Sequence, residues 1–114
     1  LRLISLFLAL CLCGAAQADG PCDNTTECTA DSLTCTWAFP YRAKEADNKF
    51  KKTLFDIQTC LGPNAKSNKD TGVNHPDSYD LWVIESDRTT ARVSLKDKAA
   101  LEKTYVFLQL IPKP

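Results

Sequence analysis

Residues 79–111 read YDLWVIESDRTTARVSLKDKAALEKTYVFLQLI, and this stretch decides the fold. Aromatic and β-branched residues dominate positions 79–85, apolar and polar residues alternate over 91–96, and 104–111 is again rich in strand formers. The polar residues 86–89 suit the turn of a hairpin. The sequence therefore predicts three strands and a mainly β fold, either a small antiparallel sheet or a sandwich.

The third predicted strand is apolar on both sides apart from Gln109. We expect it to be central and covered on both faces, because at an edge it would be a pairing hazard. Trp82 lies within the apolar run from Leu81 to Ile84 and is expected to be buried. Trp37 adjoins a polar segment and is expected to be only partly buried.

A further strand is predicted upstream, where Trp37, Phe39 and Tyr41 alternate as on one face. Pro40 cannot donate a hydrogen bond to a ladder, so this strand is expected at a sheet edge. Residues 62–78 are mostly turn formers and predict a long exposed loop.

Residues 43–60 leave two alternatives open. Four apolar residues have helical spacing: Ala46, Phe50, Leu54 and Ile57. Residues 54–57 would equally suit a short strand. Either one short helix occupies the segment, or a helix over residues 43–52 precedes a strand.

The first 18 residues have the features of a secretory signal peptide. Arg2 supplies the positive charge, residues 3–13 form an apolar run, and AQA at 16–18 is a small-x-small cleavage site. A membrane anchor would need about 20 apolar residues. We therefore expect a secreted, extracellular chain that begins near Asp19 and inserts into no membrane once residues 1–18 are removed. Because the first residue is Leu1 and not Met, the natural chain is expected to start further upstream.

Four cysteines remain in this mature chain, since the other two lie within the signal: Cys22, Cys28, Cys35 and Cys60. An oxidising compartment favours two disulfides. Their spacing suggests that two of the first three cysteines pair with each other and that the third reaches Cys60. Zinc ligation is disfavoured, because CxxC pairs are absent and the chain has a single histidine.

Residues 19–36 form a cysteine-rich polar segment in which Leu33 is the only large apolar side chain. Such a segment cannot pack a core and must be held by cross-links. It contains the chain's one N-x-S/T sequence, at Asn24, which we expect to be glycosylated in a secreted glycoprotein. Residues 37–114 are expected to form a β-rich domain that is continuous with this segment.

Charge gives little direction about partners. Basic and acidic residues are equal in number, 14 each. Without a positive excess, nucleic acid is a poor candidate partner. Lysines cluster between residues 44 and 52, and we expect neighbouring carboxylates to offset them on a solvated surface.

No constellation for catalysis can be assembled from these residues. His75 is the only histidine and lies in the turn-rich loop, so we interpret it as a solvated loop residue. The acidic pairs Asp77 with Asp80 and Glu85 with Asp87 lack the calcium-loop pattern. We predict that the protein is not an enzyme and needs no cofactor or metal.

A resemblance to a known family extends over most of residues 22–111. The quoted features are C-x5-C-x6-C, then WAFP at 37–40, LFDI at 54–57, and TTARVSL at 89–95 leading to YVFLQL at 105–110. This order resembles the fibulin-type C-terminal module of extracellular-matrix proteins. The resemblance implies a β-rich module that serves in matrix assembly by protein–protein contact.

Two classes of function follow from this reading. The first is a structural or binding module of the extracellular matrix or cell surface, with an extracellular protein as its partner. The alternative is a free secreted effector, meaning a signalling protein, toxin or protease inhibitor. A small-molecule ligand is disfavoured, because three or four strands cannot close a barrel around one.

Overall fold

The computed structural model describes Cys22, Cys28 and residues 31–70 and 79–114. These residues form one antiparallel sheet of five strands and one long helix, which confirms the mainly β fold class. The elements are β1 (Leu33–Pro40), α1 (Lys44–Leu61), β2 (Lys66–Asp70), β3 (Tyr79–Glu85), β4 (Thr89–Lys98), a 3-10 turn (Ala99–Leu101) and β5 (Lys103–Pro112).

The sheet order is β1-β5-β4-β3-β2, so the helix connects one edge strand to the other. The three strands predicted from residues 79–111 are present as β3, β4 and β5. The turn between β3 and β4 is closed by Ser86, whose N–H donates to the carbonyl of Thr89 at 2.9 Å. β1 is an edge strand that ends at Pro40, as the missing N–H of proline predicts.

The helix α1 runs without interruption over Lys44–Leu61, so the alternative with a strand at 54–57 is wrong. The helix buries Ala46, Phe50, Thr53 and Ile57, a spacing of three and four residues that forms one stripe along its length. Glu45 and Asp47 lie in its first turn, where carboxylates favour the positive end of the helix dipole.

Gly62 ends the helix with a φ of +93°, a backbone conformation that side chains disfavour. Its N–H donates to the carbonyl of Gln58 at 3.2 Å. This bond satisfies one of the carbonyls that the last helical turn leaves free.

The prediction that residues 62–78 form one long loop is wrong, because Lys66–Asp70 is the edge strand β2. Every residue of β2 is exposed, and the strand is held by its backbone pairing with β3. No apolar alternation marks such a strand in the sequence. Its lysines hinder further strand pairing at this edge. Residues 71–78 lie outside the part that the structure describes.

The hydrophobic core lies between the helix and one face of the sheet. Its fully buried members are Cys35, Ala46, Phe50, Ile57, Ile84, Ala91, Val93, Val106, Leu108 and Leu110. The helix packs mainly on β4 and β5. Leu33, Trp37 and Phe39 extend the core under β1 and are partly buried, as expected for Trp37.

Two burial predictions need correction. β5 is an interior strand as predicted, but among the described residues only one of its faces is covered by another element: Val106 and Leu108 are fully buried, whereas Phe107 is half-buried. Trp82 is only partly buried. It lies on the helix side opposite Lys69 of the exposed strand β2, beyond the strands that the helix mainly covers.

Two disulfides cross-link the N-terminal segment to the fold. Cys22 pairs with Cys35 and Cys28 pairs with Cys60, with Cα separations of 5.5 and 6.0 Å. The pairing follows the pattern expected from the spacing. Cys35 is buried in β1, whereas Cys60 is exposed at the end of the helix.

A buried polar cluster fixes the connection between β1 and α1. Arg42 has a φ of +55°, its N–H donates to Oγ1 of Thr104 at 2.7 Å, and its Nε donates to Oδ2 of Asp97 at 3.2 Å. The hydroxyl of Thr104 donates to Oδ1 of Asp97 at 2.7 Å. These bonds offset the cost of a left-handed non-glycine residue, so the cluster has a structural role.

Candidate functional site

The face of the sheet opposite the helix, here called the outer face, is the candidate site. No helix or strand among the described residues covers it. Because side chains alternate along strands, the register assigns its members. They are Thr34, Thr36, Ala38, Pro40, Lys66, Asn68, Asp70, Tyr79, Leu81, Val83, Glu85, Thr90, Arg92, Ser94, Lys96, Lys98, Lys103, Tyr105, Phe107, Gln109 and Ile111.

Three aromatic side chains lie on the outer face. The rings of Tyr105 and Phe107 stack with their centroids 5.8 Å apart. On the neighbouring strand β4, the ammonium of Lys96 lies 5.3 Å from the ring centroid of Tyr79 in β3. Lys96 is opposite Tyr105 in β5 and opposite Tyr79 in β3, so a Tyr-Lys-Tyr row crosses the sheet.

The next row of residues across the outer face is its most buried part. Phe107, Ser94 and Leu81 are aligned across β5, β4 and β3. Leu81 is 4% exposed and Ser94 7% exposed, yet neither belongs to the core cluster under the helix. The half-buried Val83 continues this apolar centre along β3.

Positive charge dominates the outer face. Five of its residues are basic (Lys66, Arg92, Lys96, Lys98 and Lys103), and two are acidic (Asp70 and Glu85). The carboxylate of Glu85 lies 3.8 Å from the ammonium of Lys113. A molecule with equal numbers of acidic and basic residues therefore carries an uneven charge distribution.

Two of the four lysines of the helix differ in that neighbouring carboxylates offset their charge. Lys51 pairs with Asp47 at 2.8 Å and Lys52 pairs with Asp56 at 2.6 Å, both one helical turn apart. The ammonium of Lys49 lies 4.3 Å from the ring centroid of Trp37. The solvated surface predicted for this cluster accounts for these contacts.

A cleft lies beside the Cys28–Cys60 disulfide. This cleft of about 450 Å³ is bounded by the turn between β3 and β4 and by the residues that follow the helix. Ser86, Asp87 and Arg88 supply its charged and hydroxyl groups. The described lining offers one carboxylate and no histidine, so it assembles no acid–base pair.

The described members of the acidic pairs considered from the sequence have separate surroundings. Asp80 lies 3.9 Å from Lys69, Glu85 contacts Lys113, and Asp87 lines the cleft. Within residues 31–70 and 79–114 no group of three metal-ligating side chains converges. Residues 1–18, Asn24, His75 and Asp77 lie outside the described part, so the predictions made for them stay predictions.

The sequence interpretation missed the outer face as a site. Its clue was residues 105–111 of the third predicted strand, in which every position but Gln109 is apolar or aromatic. Such a strand was expected to be covered on both sides, whereas Tyr105 and Phe107 remain half-exposed. The amphipathic residues Tyr79 and Tyr105, which both lie opposite Lys96, mark this second face as one that meets water.

In the described part of the chain, no helix combines the length and apolar character needed to cross a membrane. Comparison with protein-family models, curated protein sequences and solved structures gives no significant match. The resemblance to the fibulin-type module therefore stays a prediction, and the site rests on its geometry.

Proposed function

We propose that this protein is a secreted, disulfide-stabilised module of the extracellular matrix or cell surface that acts by protein–protein contact through the outer face. The observation that carries the proposal is the group of half-exposed aromatics Tyr79, Tyr105 and Phe107 on a sheet face that no described element covers. Protein interfaces are enriched in tyrosine, phenylalanine and arginine at their centres.

The two cross-links support the extracellular part of the proposal, because disulfides persist in oxidising compartments. They also favour a rigid binding surface. The Cys28–Cys60 bridge links the N-terminal segment to the end of α1, and the Cys22–Cys35 bridge links it to β1. The elements that support the outer face are therefore cross-linked at two points. A preorganised face loses little entropy when it binds.

The geometry favours binding over catalysis. Asp97 and Thr104, the most buried polar pair of the described part, are used to hold Arg42 in place. The substitution His75→Ala tests the proposal that the protein is not an enzyme. The variant should fold and keep its binding, and loss of a hydrolytic activity at unchanged thermal stability would replace the binding proposal by a histidine-dependent enzyme.

Site-directed photo-cross-linking tests which face meets the partner. A photoreactive phenylalanine analogue replaces Gln109 on the outer face or, as the matched control, Lys51 on the exposed side of the helix. Each protein is incubated with the extracellular and cell-surface fraction of the tissue that expresses it, and adducts are identified by mass spectrometry. The identified protein is then purified and its affinity for the unmodified chain is measured.

We expect one saturable adduct from position 109 and none from position 51. An adduct formed only from position 51 would place the partner on the helix and contradict the proposal. The absence of any light-dependent adduct at both positions would contradict the binding module itself.

A further inference from the structure

We infer that the partner of the outer face is an acidic protein surface that brings an apolar side chain to the partly exposed side chains of Val83, Tyr105 and Phe107. This inference rests on the proposed function and names the chemistry of the partner. It is carried by charge that the described residues leave unmatched, together with the apolar centre that this charge surrounds.

The unmatched charge lies on β4 and β5. Arg92, Lys98 and Lys103 have no ion-pair contact within 4.0 Å among the described residues, in contrast to Lys51 and Lys52 on the helix. Two of these like charges are close together, since Lys98 and Lys103 are directly paired across the strands. Like charges directly opposite each other are unfavourable in an isolated sheet. An acidic partner relieves that repulsion.

The centre of the same face distinguishes a protein partner from a polyanionic glycan. Leu81 and Ser94 are already buried, and the accessible apolar surface around them belongs to Val83, Tyr105 and Phe107, which are partly exposed. A sulfated glycan uses the cations but has no apolar group for this centre. A protein interface combines an apolar, aromatic centre with a polar rim, which is the arrangement of this face.

The charge also disfavours a second copy of the chain as the occupant. In a face-to-face dimer, five basic residues of each outer face would meet five of the other, against two acidic residues on each side. Like-charge juxtaposition opposes such a contact. The protein should therefore remain monomeric in solution at low salt.

Defined peptides provide the probe. Three sets of fluorescent peptides share one length: Asp and Glu flanks around a Leu-Phe centre, Lys flanks around the same centre, and acidic flanks around a Gly-Ser centre. Binding to the full disulfide-bonded protein is measured by anisotropy at low and at physiological salt, with a heparin oligosaccharide as a fourth ligand. The charge reversal Arg92→Glu with Lys96→Glu is compared with Lys44→Glu with Lys51→Glu on the helix.

The acidic set with the apolar centre should bind about ten-fold more tightly than either matched set, and its affinity should fall about five-fold between low and physiological salt. The outer-face reversal should abolish this preference, and the helix reversal should change affinity less than about two-fold. Equal binding of the basic set, binding of heparin alone, or a dimer through the outer face overturns the inference. If position 109 still cross-links a partner in that case, the proposed function stands and only its acidic chemistry falls; if no adduct forms there, both fall.

Discussion

The two faces of the sheet are built from the same strands but differ in how deeply their side chains are buried. On the helix side, Val106 and Leu108 of β5 are fully buried beneath α1. On the outer face, Tyr105 and Phe107 of the same strand are partly exposed, beside cations that have no ion-pair partner among the described residues. The helix side therefore holds most of the described core, whereas the outer face keeps accessible apolar and basic groups, although both faces are apolar along β5.

Truncating two neighbouring residues of β5 tests the difference between the two faces and should have the largest effect. Leu108→Ala removes a side chain with 0% exposure and should lower the free energy of unfolding by about 2–5 kcal/mol. Phe107→Ala, one residue away on the outer face, should cost less, about 1 kcal/mol, because this side chain is only partly buried. Urea unfolding of both variants checks the difference. Equal losses would show that the outer face is part of the core.

The disulfide at the end of the helix should have the next largest effect. Replacing Cys28 and Cys60 together by serine removes a cross-link between residues 32 positions apart, with an expected loss of about 2–4 kcal/mol. The loss arises mainly because the unfolded chain gains freedom. Thermal unfolding of the double variant tests this, with the chemically reduced protein as the reference. An unchanged midpoint would show that the fold does not depend on this bridge.

The buried polar cluster should respond more strongly than a matched hydroxyl on the outer face. Thr104→Val leaves the N–H of Arg42 and Oδ1 of Asp97 without their shared partner and should cost about 1–3 kcal/mol. Thr36→Val changes an exposed residue of β1 and should stay within about 0.5 kcal/mol. Chemical denaturation of the two variants should rank them in this order, and the reverse ranking would remove the structural role of the cluster.

The smallest effect is expected at Thr53, a helix residue with 0% exposure. Its hydroxyl has no hydrogen-bond partner within the described structure. Thr53→Val should therefore be neutral or raise the free energy of unfolding by up to about 1 kcal/mol, since a buried unsatisfied group is removed. Thr59→Val, at an exposed helix position, is the control. A clear loss at Thr53 would reveal a partner for its hydroxyl.

The sequence was sufficient to predict β3, β4 and β5, because alternation and β-branched residues directly specify half-buried strands. It also predicted the edge position of β1 from Pro40 and the pattern of the disulfides. β2 was missed because a fully exposed strand such as Lys66–Asp70 needs no apolar residue and is held by backbone pairing alone. Hydrophobic periodicity in a sequence reflects burial, and no residue of this strand is buried.

The candidate site was harder to predict, for a physical reason. An apolar side chain in a strand has the same sequence signature whether it meets a helix or a partner, so Phe107 and Leu108 look alike. Only the helix position separates them, and that depends on how α1 crosses from one sheet edge to the other. The grouping of Lys98 with Lys103 likewise depends on the register of β4 and β5.

The most direct test of the division between the two faces measures binding and stability on the same pair of variants. Phe107→Ser alters the outer face, and Phe55→Ser alters an aromatic that is 66% exposed on the other side of the molecule. For the cross-linked partner, we expect Phe107→Ser to weaken affinity by at least about ten-fold while the free energy of unfolding falls by no more than about 1–2 kcal/mol. Phe55→Ser should change neither quantity. Unchanged affinity in Phe107→Ser, or a loss of affinity confined to Phe55→Ser, would contradict the assignment of binding to the outer face.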